Sequence, residues 1–373
     1  MNFKEIDPKR TAYVLLPPIL VCAVSLYLKQ FNYLAFHIAA ELFAIIIGFS
    51  VLTVAMAAHN FNLNNYILFV SIVIGWVSGI DLAHTLLYEG MGIFHFENSN
   101  IPTQLWILAR SLQAVGMAMA PIYLSRPFKV WKVWLCLFAV TALAVICIQK
   151  NWFPVTHVAG VGLTPFKIYA EYVIILVFLI AALLIYQSKK SMTEYVWKSL
   201  IVMIVFSIAS ELSFTRYVSV YGPANMIGHL FKIFAFWALY LALIDNSLRR
   251  PFDTLAKTVS SYDALPFAII TVGPNRRILQ ANAKATQWAG ASKSYLVGKD
   301  SHALFHDVYV SPDRCPICTH QGEPNSTREF EIPIKHGTRQ IKCSVTQVQR
   351  GEGKFVQIQM LRELPVQRME PAA

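Results

Sequence analysis

Eight apolar runs, each close to the roughly 20 residues that a helix needs to cross a bilayer, dominate the chain and leave little choice about its fold. They fall near residues 12–28, 35–58, 66–88, 104–124, 131–149, 168–187, 196–216 and 225–245. Within lipid every backbone N–H and C=O must be paired inside the segment, so runs of this length read as helices. With 55% hydrophobic and only 14% charged residues over 373 positions, the chain is too apolar for an ordinary soluble domain and reads as an integral membrane protein. The apolarity is confined to residues 1–245. Residues 263–364 read as a water-soluble domain, joined by a connector at 246–262 and followed by a tail at 365–373.

The net charge of +11 carries no nucleic-acid signature, because Lys and Arg gather beside the apolar runs, where lipid headgroups account for them. With a cytoplasmic N-terminus, the inner segments hold Lys4, Lys9, Arg10, Arg126, Lys129, Lys132, Lys189, Lys190, Lys198, Arg249 and Arg250. The outer segments hold only Lys29, Lys150, Lys167 and Arg216. Eleven against four sets the orientation. Eight spans then return the chain to the cytoplasm, so both termini are expected inside a bacterial inner membrane. The basic stretch 1–10 precedes an apolar run without a small-residue cleavage site and is read as leading into a retained first span. Cys22, Cys136 and Cys147 lie in apolar runs, and Cys315, Cys318 and Cys343 in the soluble part. No extracytoplasmic disulfide framework is visible.

Charged side chains inside a span cost several kcal/mol unless they face protein, water or a ligand, and here they collect in the outer half. His37 and Glu41 open the second span, Asp81, His84 and Tyr88 close the third, and Gln104, Trp106 and Arg110 open the fourth. Glu171 and Tyr172 open the sixth, Glu211 and Arg216 close the seventh, and Asn225, His229 and Lys232 open the eighth. Six helices thus bring acids, bases and histidines to one depth. Charged pairs can also simply hold a bundle together, which is the reading given to Trp106, Glu171 and Arg216. Arg110 and Lys232 lie about two turns inside their helices and are expected to pair with Asp81, Glu41 or Glu211. His37-x-x-x-Glu41 and Asp81-x-x-His84 have a spacing that suits a divalent metal across a bundle, and two facing histidines would suit a haem. A small polar ligand held by Tyr88, Gln104 and Arg110 is equally allowed. The expectation is a ligand pocket formed by His37, Glu41, Asp81, His84, Tyr88, Gln104, Arg110, Glu211, His229 and Lys232, with its occupant open.

The segments FHIAAELFAI, IDLAHTLLYEGMGIF, PTQLWILARSL and AMAPIYLSRPF between Phe36 and Phe128, with SELSFTRY at 210–217, NMIGHLFKIFAFWALYLAL at 225–243 and LRRPF at 248–252, resemble the third class of bacterial membrane-associated sensor (MASE) domains. The resemblance implies an N-terminal sensor of the kind fused to PAS domains and then to histidine kinase, diguanylate cyclase or phosphodiesterase modules. It carries no ligand over to this chain.

After the spans, Asp253 to Tyr262 form a short amphipathic connector with Leu255, Val259 and Tyr262 on one face. Leu265–Val272 reads as a strand, Gly273-Pro-Asn-Arg as a turn and Arg277–Gln280 as the hairpin partner. Helices are expected at 281–288 and 298–305, and strands at 327–334, 338–348 and 354–361. This order, with LPFAIITV, QANAKA and YLVGKD, resembles a PAS domain. The predicted fold class is therefore an all-α membrane bundle of about eight helices plus a cytoplasmic α+β PAS domain, whose core is expected from Phe267, Ile269, Ile278, Leu296, Phe305 and Phe330. PAS domains commonly dimerise through the helix before the first strand, so a homodimer in the lipid membrane is expected.

Within the PAS-like region, His302-x-x-x-His306 and Cys315-Pro-Ile-Cys318 offer a zinc or iron–sulfur donor set. The Cys–Cys pair is single, so the preferred sequence reading puts the histidines on an exposed helix and the cysteines in a loop. Thr319 after Cys318 excludes covalent haem attachment by C-x-x-C-H. No P-loop, cyclase, phosphodiesterase or kinase signature is present, and no catalytic residues are assigned. Too little chain follows Leu364 for an output domain, so this is read as the sensory part of a longer protein or one that signals through a partner. Two rivals use the same buried charges: a transporter, tested by vesicle uptake, and an intramembrane metal-dependent enzyme, tested by product formed from lipid. Neither a broken-helix pair nor enough histidines favours them.

Overall fold

Residues at both edges of each apolar run decide where its helix begins. Asn32, Asn64, Thr164 and Thr193 each accept a hydrogen bond from the backbone N–H two or three residues on, closing donors that the first turn leaves open. A computed structural model of the chain describes residues 8–59, 64–93, 99–216, 220–244, 250–306, 310–320, 323, 325–333, 340–349 and 355–363. It divides into two compact units, Met1–Phe252 and Asp253–Ala373.

The first unit contains α1 (Pro8–Lys29), α2 (Tyr33–Ala58), α3 (Asn65–Leu86), α4 (Asn100–Met119), α5 (Val130–Gln149), α6 (Pro165–Gln187), α7 (Glu194–Phe214) and α8 (Pro223–Ile244). All eight are long and apolar enough to cross a membrane, α4 with its continuation to Leu124. A two-strand hairpin, β1 (His157–Val158) and β2 (Gly162–Leu163), lies between α5 and α6. Six helices close a ring: α2 on α3, α3 on α4, α4 on α6, α6 on α7, α7 on α8, and α8 back on α2. Helix α1 flanks α2 and α8, and α5 flanks α3 and α4. Burial follows that plan, at 11% of the span in α1 and α5 against 78% in α3. The six ring helices are the six whose sequences carry the clustered intramembrane polar residues.

Glycines set the closest approaches in this ring, because lipid gives helices no hydrophobic reason to associate and packing must do so. A Cβ on Gly48 would meet Ser78 Oγ at 1.8 Å, and one on Gly75 or Gly116 would meet Leu52 or Val73 at 2.5 Å. On α8, a Cβ on Gly228 would meet the Phe214 ring at 2.5 Å.

In the second unit a five-stranded antiparallel sheet has the order β4-β3-β7-β6-β5, from β3 (Ala268–Val272), β4 (Ile278–Ala281), β5 (Thr327–Pro333), β6 (Gln340–Gln349) and β7 (Phe355–Glu363). Helix α9 (Arg250–Asp263) precedes it, and α10 (Ala283–Ala289), α11 (Lys293–Leu296) and α12 (Ser301–Phe305) follow β4. Asn282, fully buried, ties these pieces together. Its Oδ1 accepts from Ile269 N and Ala285 N, both at 2.9 Å, while Nδ2 donates to Phe267 O at 2.8 Å and Tyr262 O at 3.3 Å.

The core of this unit contains Ala268, Ile270, Val272, Ile278, Leu296, Phe305, Cys343 and Leu361, with Phe330 packed at its edge. Ile278, Leu296 and Phe305 fall where the sequence put them. The phase of β3 does not: Ala268, Ile270 and Val272 point into this core, while Ile269 is buried on the opposite side of the strand and Phe267 is only half-buried. LPFAIITV is apolar at both parities, so alternation could not choose the inner face.

Candidate functional site

Helix α2 places His37 and Glu41 one turn apart and fully buried, and α3 does the same for Asp81 and His84. Across the ring, Lys232 on α8 donates to both oxygens of Glu41, at 2.9 and 2.7 Å, and lies 3.0 Å from Asp81 Oδ2. Arg110 Nη2 on α4 reaches both Asp81 oxygens at 2.6 and 2.5 Å, and Nη1 bonds Gln113. The pairing expected for Arg110 and Lys232 is present, and one carboxylate, Asp81, is shared between them.

The three histidines form an aromatic group beside this network. The His37 ring stacks on Tyr88 at 3.8 Å and stands edge-on to His229 at 4.7 Å, with His84 at 5.6 Å. His84 Nδ1 lies 2.7 Å from Pro102 O. A carbonyl only accepts, so Nδ1 carries the proton and Nε2 is left as a lone pair. That Nε2 is buried without a hydrogen-bond partner, as are both nitrogens of His37. His229 Nδ1 lies 3.1 Å from Glu41 Oε1 but out of hydrogen-bond alignment.

Tyr88 is not the last residue of its helix, as the sequence suggested. α3 ends at Leu86, and Gly90 at φ +87° turns the chain. Its hydroxyl still enters the site, donating to Val220 O at 2.7 Å and accepting from Asn225 Nδ2 at 2.9 Å. Gln104 departs from expectation: its Nε2 donates to Phe153 O and Pro154 O at 3.4 and 3.0 Å, so it ties α4 to the α5–α6 loop instead of joining the acids. Arg216 is exposed.

Two residues take more part than the sequence suggested. Trp106 Nε1 donates to Glu211 Oε2 at 3.3 Å, and its ring lies 4.6 Å from Lys232 Nζ and 4.8 Å from the Arg110 guanidinium. Lys167, counted above as an outer-loop charge, is buried inside α6, paired with Glu171 and donating to Phe214 O at 2.5 Å. Its i, i+4 spacing to Glu171 just after Pro165 was the available signal.

Among the described residues the bundle thus buries four acids, Glu41, Asp81, Glu171 and Glu211, against three fixed cations, Arg110, Lys167 and Lys232. A narrow cleft, part of it open to solvent, adjoins the cluster. It is lined by His84, Tyr88, Trp106, Lys167, Asn225 and His229 among others. His37, Glu41 and His229 bring ligand atoms within 4.8 Å of one another, a donor set for a cation. Both Glu41 oxygens already hold the Lys232 ammonium, so an ion entering there must displace it.

A second cluster lies in the unit Asp253–Ala373. His302 and His306 are not on an exposed helix but buried, and Cys315 and Cys318 fold over them. The exposed reading failed because α12 is only a turn long, with His302 on its buried side and His306 as its buried C-cap. His302 Nδ1 lies 3.4 Å from Cys318 Sγ, and His306 Nδ1 lies 3.3 Å from Cys318 Sγ and 3.7 Å from Cys315 Sγ. Burial holds the His306 imidazole down at about 4. Burial, then the neighbouring Cys315, pushes the Cys318 thiol up to about 12.

A ring of membrane-crossing helices around buried titratable side chains, with a separate five-stranded α+β domain after it, is the build of a membrane sensory protein. The chain belongs to the membrane-associated sensor domain family MASE3, whose model matches residues 28–251, and a PAS fold matches residues 257–361. Both resemblances read from the sequence are thereby borne out, and both matched domains are sensory. No curated protein matches the chain. Among solved structures it is similar to the PAS domain of an HTR-like protein from Haloarcula marismortui, at 15% identity over 31% of this chain and 96% of that one, with a TM-score of 0.28. A PAS domain from a two-component sensor histidine kinase matches at 16% identity over 31% and 99%, TM-score 0.24. The PAS domain of Bordetella pertussis BvgS matches at 13% over 30% and 86%, TM-score 0.22.

Proposed function

We propose that this chain is the input part of a bacterial inner-membrane signalling system, in which the six-helix ring binds a small polar ligand from the outer leaflet side and passes the event through α9 to the PAS domain. Output then runs through a kinase or a cyclic-di-GMP module, fused or in a partner. The observation that carries the pocket is the buried lone pair of His84 Nε2, held in one tautomer by Pro102 and bordering a cleft. A buried acceptor favours a ligand with a hydrogen-bond donor. Haem is a weaker fit, since Tyr88 covers one face of His37 and His229 stands edge-on, leaving no slot between imidazoles.

Relay through α9 is supported by its end, where Tyr262 Oη donates to Ile269 O at 3.1 Å and Asp263 Oδ1 accepts from Ala283 N at 2.9 Å. Leu255 and Val259 on α9 are 58% and 44% exposed, an apolar stripe that suits pairing with a second copy. With Lys167 removed from the outer count because it is buried in α6, the bias of eleven inner to three outer cations supports cytoplasmic termini. The test compares cells carrying wild-type protein or His84→Ala for phosphotransfer and for cyclic-di-GMP level, with membrane abundance measured in both. One output should change with abundance unchanged. If both outputs match wild type, the sensing role of this pocket is wrong.

A further inference from the structure

The second unit carries a donor set that sensing in the bundle does not use. His302 stands on α12, His306 is that helix's C-cap, and Cys315 and Cys318 sit on a turn closed by Thr319 N donating to Cys315 O at 3.0 Å. The ligand atoms of the four residues all lie within 4.8 Å of one another. Zn–N bonds near 2.0–2.1 Å and Zn–S bonds near 2.3 Å at tetrahedral angles put nitrogen and sulfur roughly 3.5 Å apart. Three of the four nitrogen–sulfur pairs here lie at 3.3, 3.4 and 3.7 Å.

The groups behind the ligands point the same way. His302 Nε2 lies 2.8 Å from Val310 O, which can only accept, so Nε2 carries the proton and Nδ1 offers its lone pair. His306 Nε2 lies 2.9 Å from Gln359 Oε1, and Gln359 is held with that oxygen toward the ring because its Nε2 donates to Gln357 Oε1 at 3.2 Å. Metal-bound histidines characteristically give their other N–H to a carbonyl in this way. Both histidines therefore aim a lone pair at two thiols, which are weak donors as hydrogen-bond partners but strong ligands as thiolates. A two-iron cluster would hold its ligand pairs further apart than one point allows.

We propose that His302, His306, Cys315 and Cys318 bind one zinc ion as a closed tetrahedral site, which pins the segment 310–320 to α12 and β7. Four protein ligands leave no open position, so the ion is structural. Two thiol protons leave as it binds, giving two thiolates and two neutral imidazoles around Zn²⁺ with no net charge. Cys315 and Ile317 lie in the core beside Ile270 and Leu361, so the ion fixes part of that core.

The test is metal content and Co²⁺ titration of the full chain purified in detergent under reducing conditions. Wild type should carry about one zinc per chain, and Co²⁺ in its place should give the intense visible bands of a tetrahedral thiolate site. Cys315→Ser/Cys318→Ser should lose both, while His37→Ala/Glu41→Gln should keep both, which separates this site from the bundle. Gln359→Leu, which leaves all four ligands in place, should weaken zinc about 10–100-fold. If wild type copurifies without zinc and Co²⁺ gives only pale octahedral bands, or if the reduced protein retains a Cys315–Cys318 disulfide, the proposal is overturned.

Discussion

Lys232 serves Glu41 and Asp81 at once, and Arg110 shares Asp81 with it. Removing one member of such a buried set leaves an uncompensated charge, so Lys232→Met should lower stability by about 3–5 kcal/mol. Thermal unfolding in detergent checks it, and Glu41→Gln combined with Lys232→Met should recover part of the loss. His84→Ala removes a neutral ring and leaves the Pro102 carbonyl without its donor, so it should lower stability by about 1–3 kcal/mol, less than Lys232→Met, while abolishing the response. The acids and histidines were legible in the sequence because a polar side chain inside an apolar run has few harmless explanations. Lys167 was not, because a lysine two residues after a proline at a run's edge looks like a loop charge. Gln104 was misplaced for a related reason: its helix is amphipathic, and spacing alone did not tell the ring interior from the loop at Phe153.

Helices of the ring are held at distances set by glycine, and that gives a second prediction. Gly228→Ala must push the Phe214 ring, whose backbone carbonyl receives Lys167. Overpacking of this kind costs about 1–3 kcal/mol, and should show as earlier thermal aggregation, whereas Gly79→Ala, with nothing near its Cβ position, should be neutral. In the PAS domain, Asn282→Ala removes a side chain that bonds the end of α9, the start of β3 and the first turn of α10. The buried groups left behind should cost about 1–3 kcal/mol, read as faster hydrogen exchange at Ile269 and in α10. The spans and the five sheet strands were visible from apolar run length and turn residues, whereas the one-turn α11 and the β1–β2 hairpin were too short to leave such a signal. What alternation could not supply was the inner face of β3, where both parities are apolar.

At the scale of the molecule, two units and eight spans followed from where apolarity begins and stops, and the six-helix ring followed from which spans carry polar residues. The order around the ring did not, because helix neighbours are chosen by glycine contacts that composition does not reveal. A reporter fused after Ala373 should be active only in its cytoplasmic form, and periplasmic activity would reverse the topology. The central claim is that the ring holds a ligand against His84, and the mass of the intact chain released from its native membranes tests it most directly. Wild type should carry a non-covalent small molecule, over and above any metal, that His84→Ala loses and Gln104→Ala keeps. A wild-type chain without such an adduct, or one that His84→Ala retains in full, would contradict it.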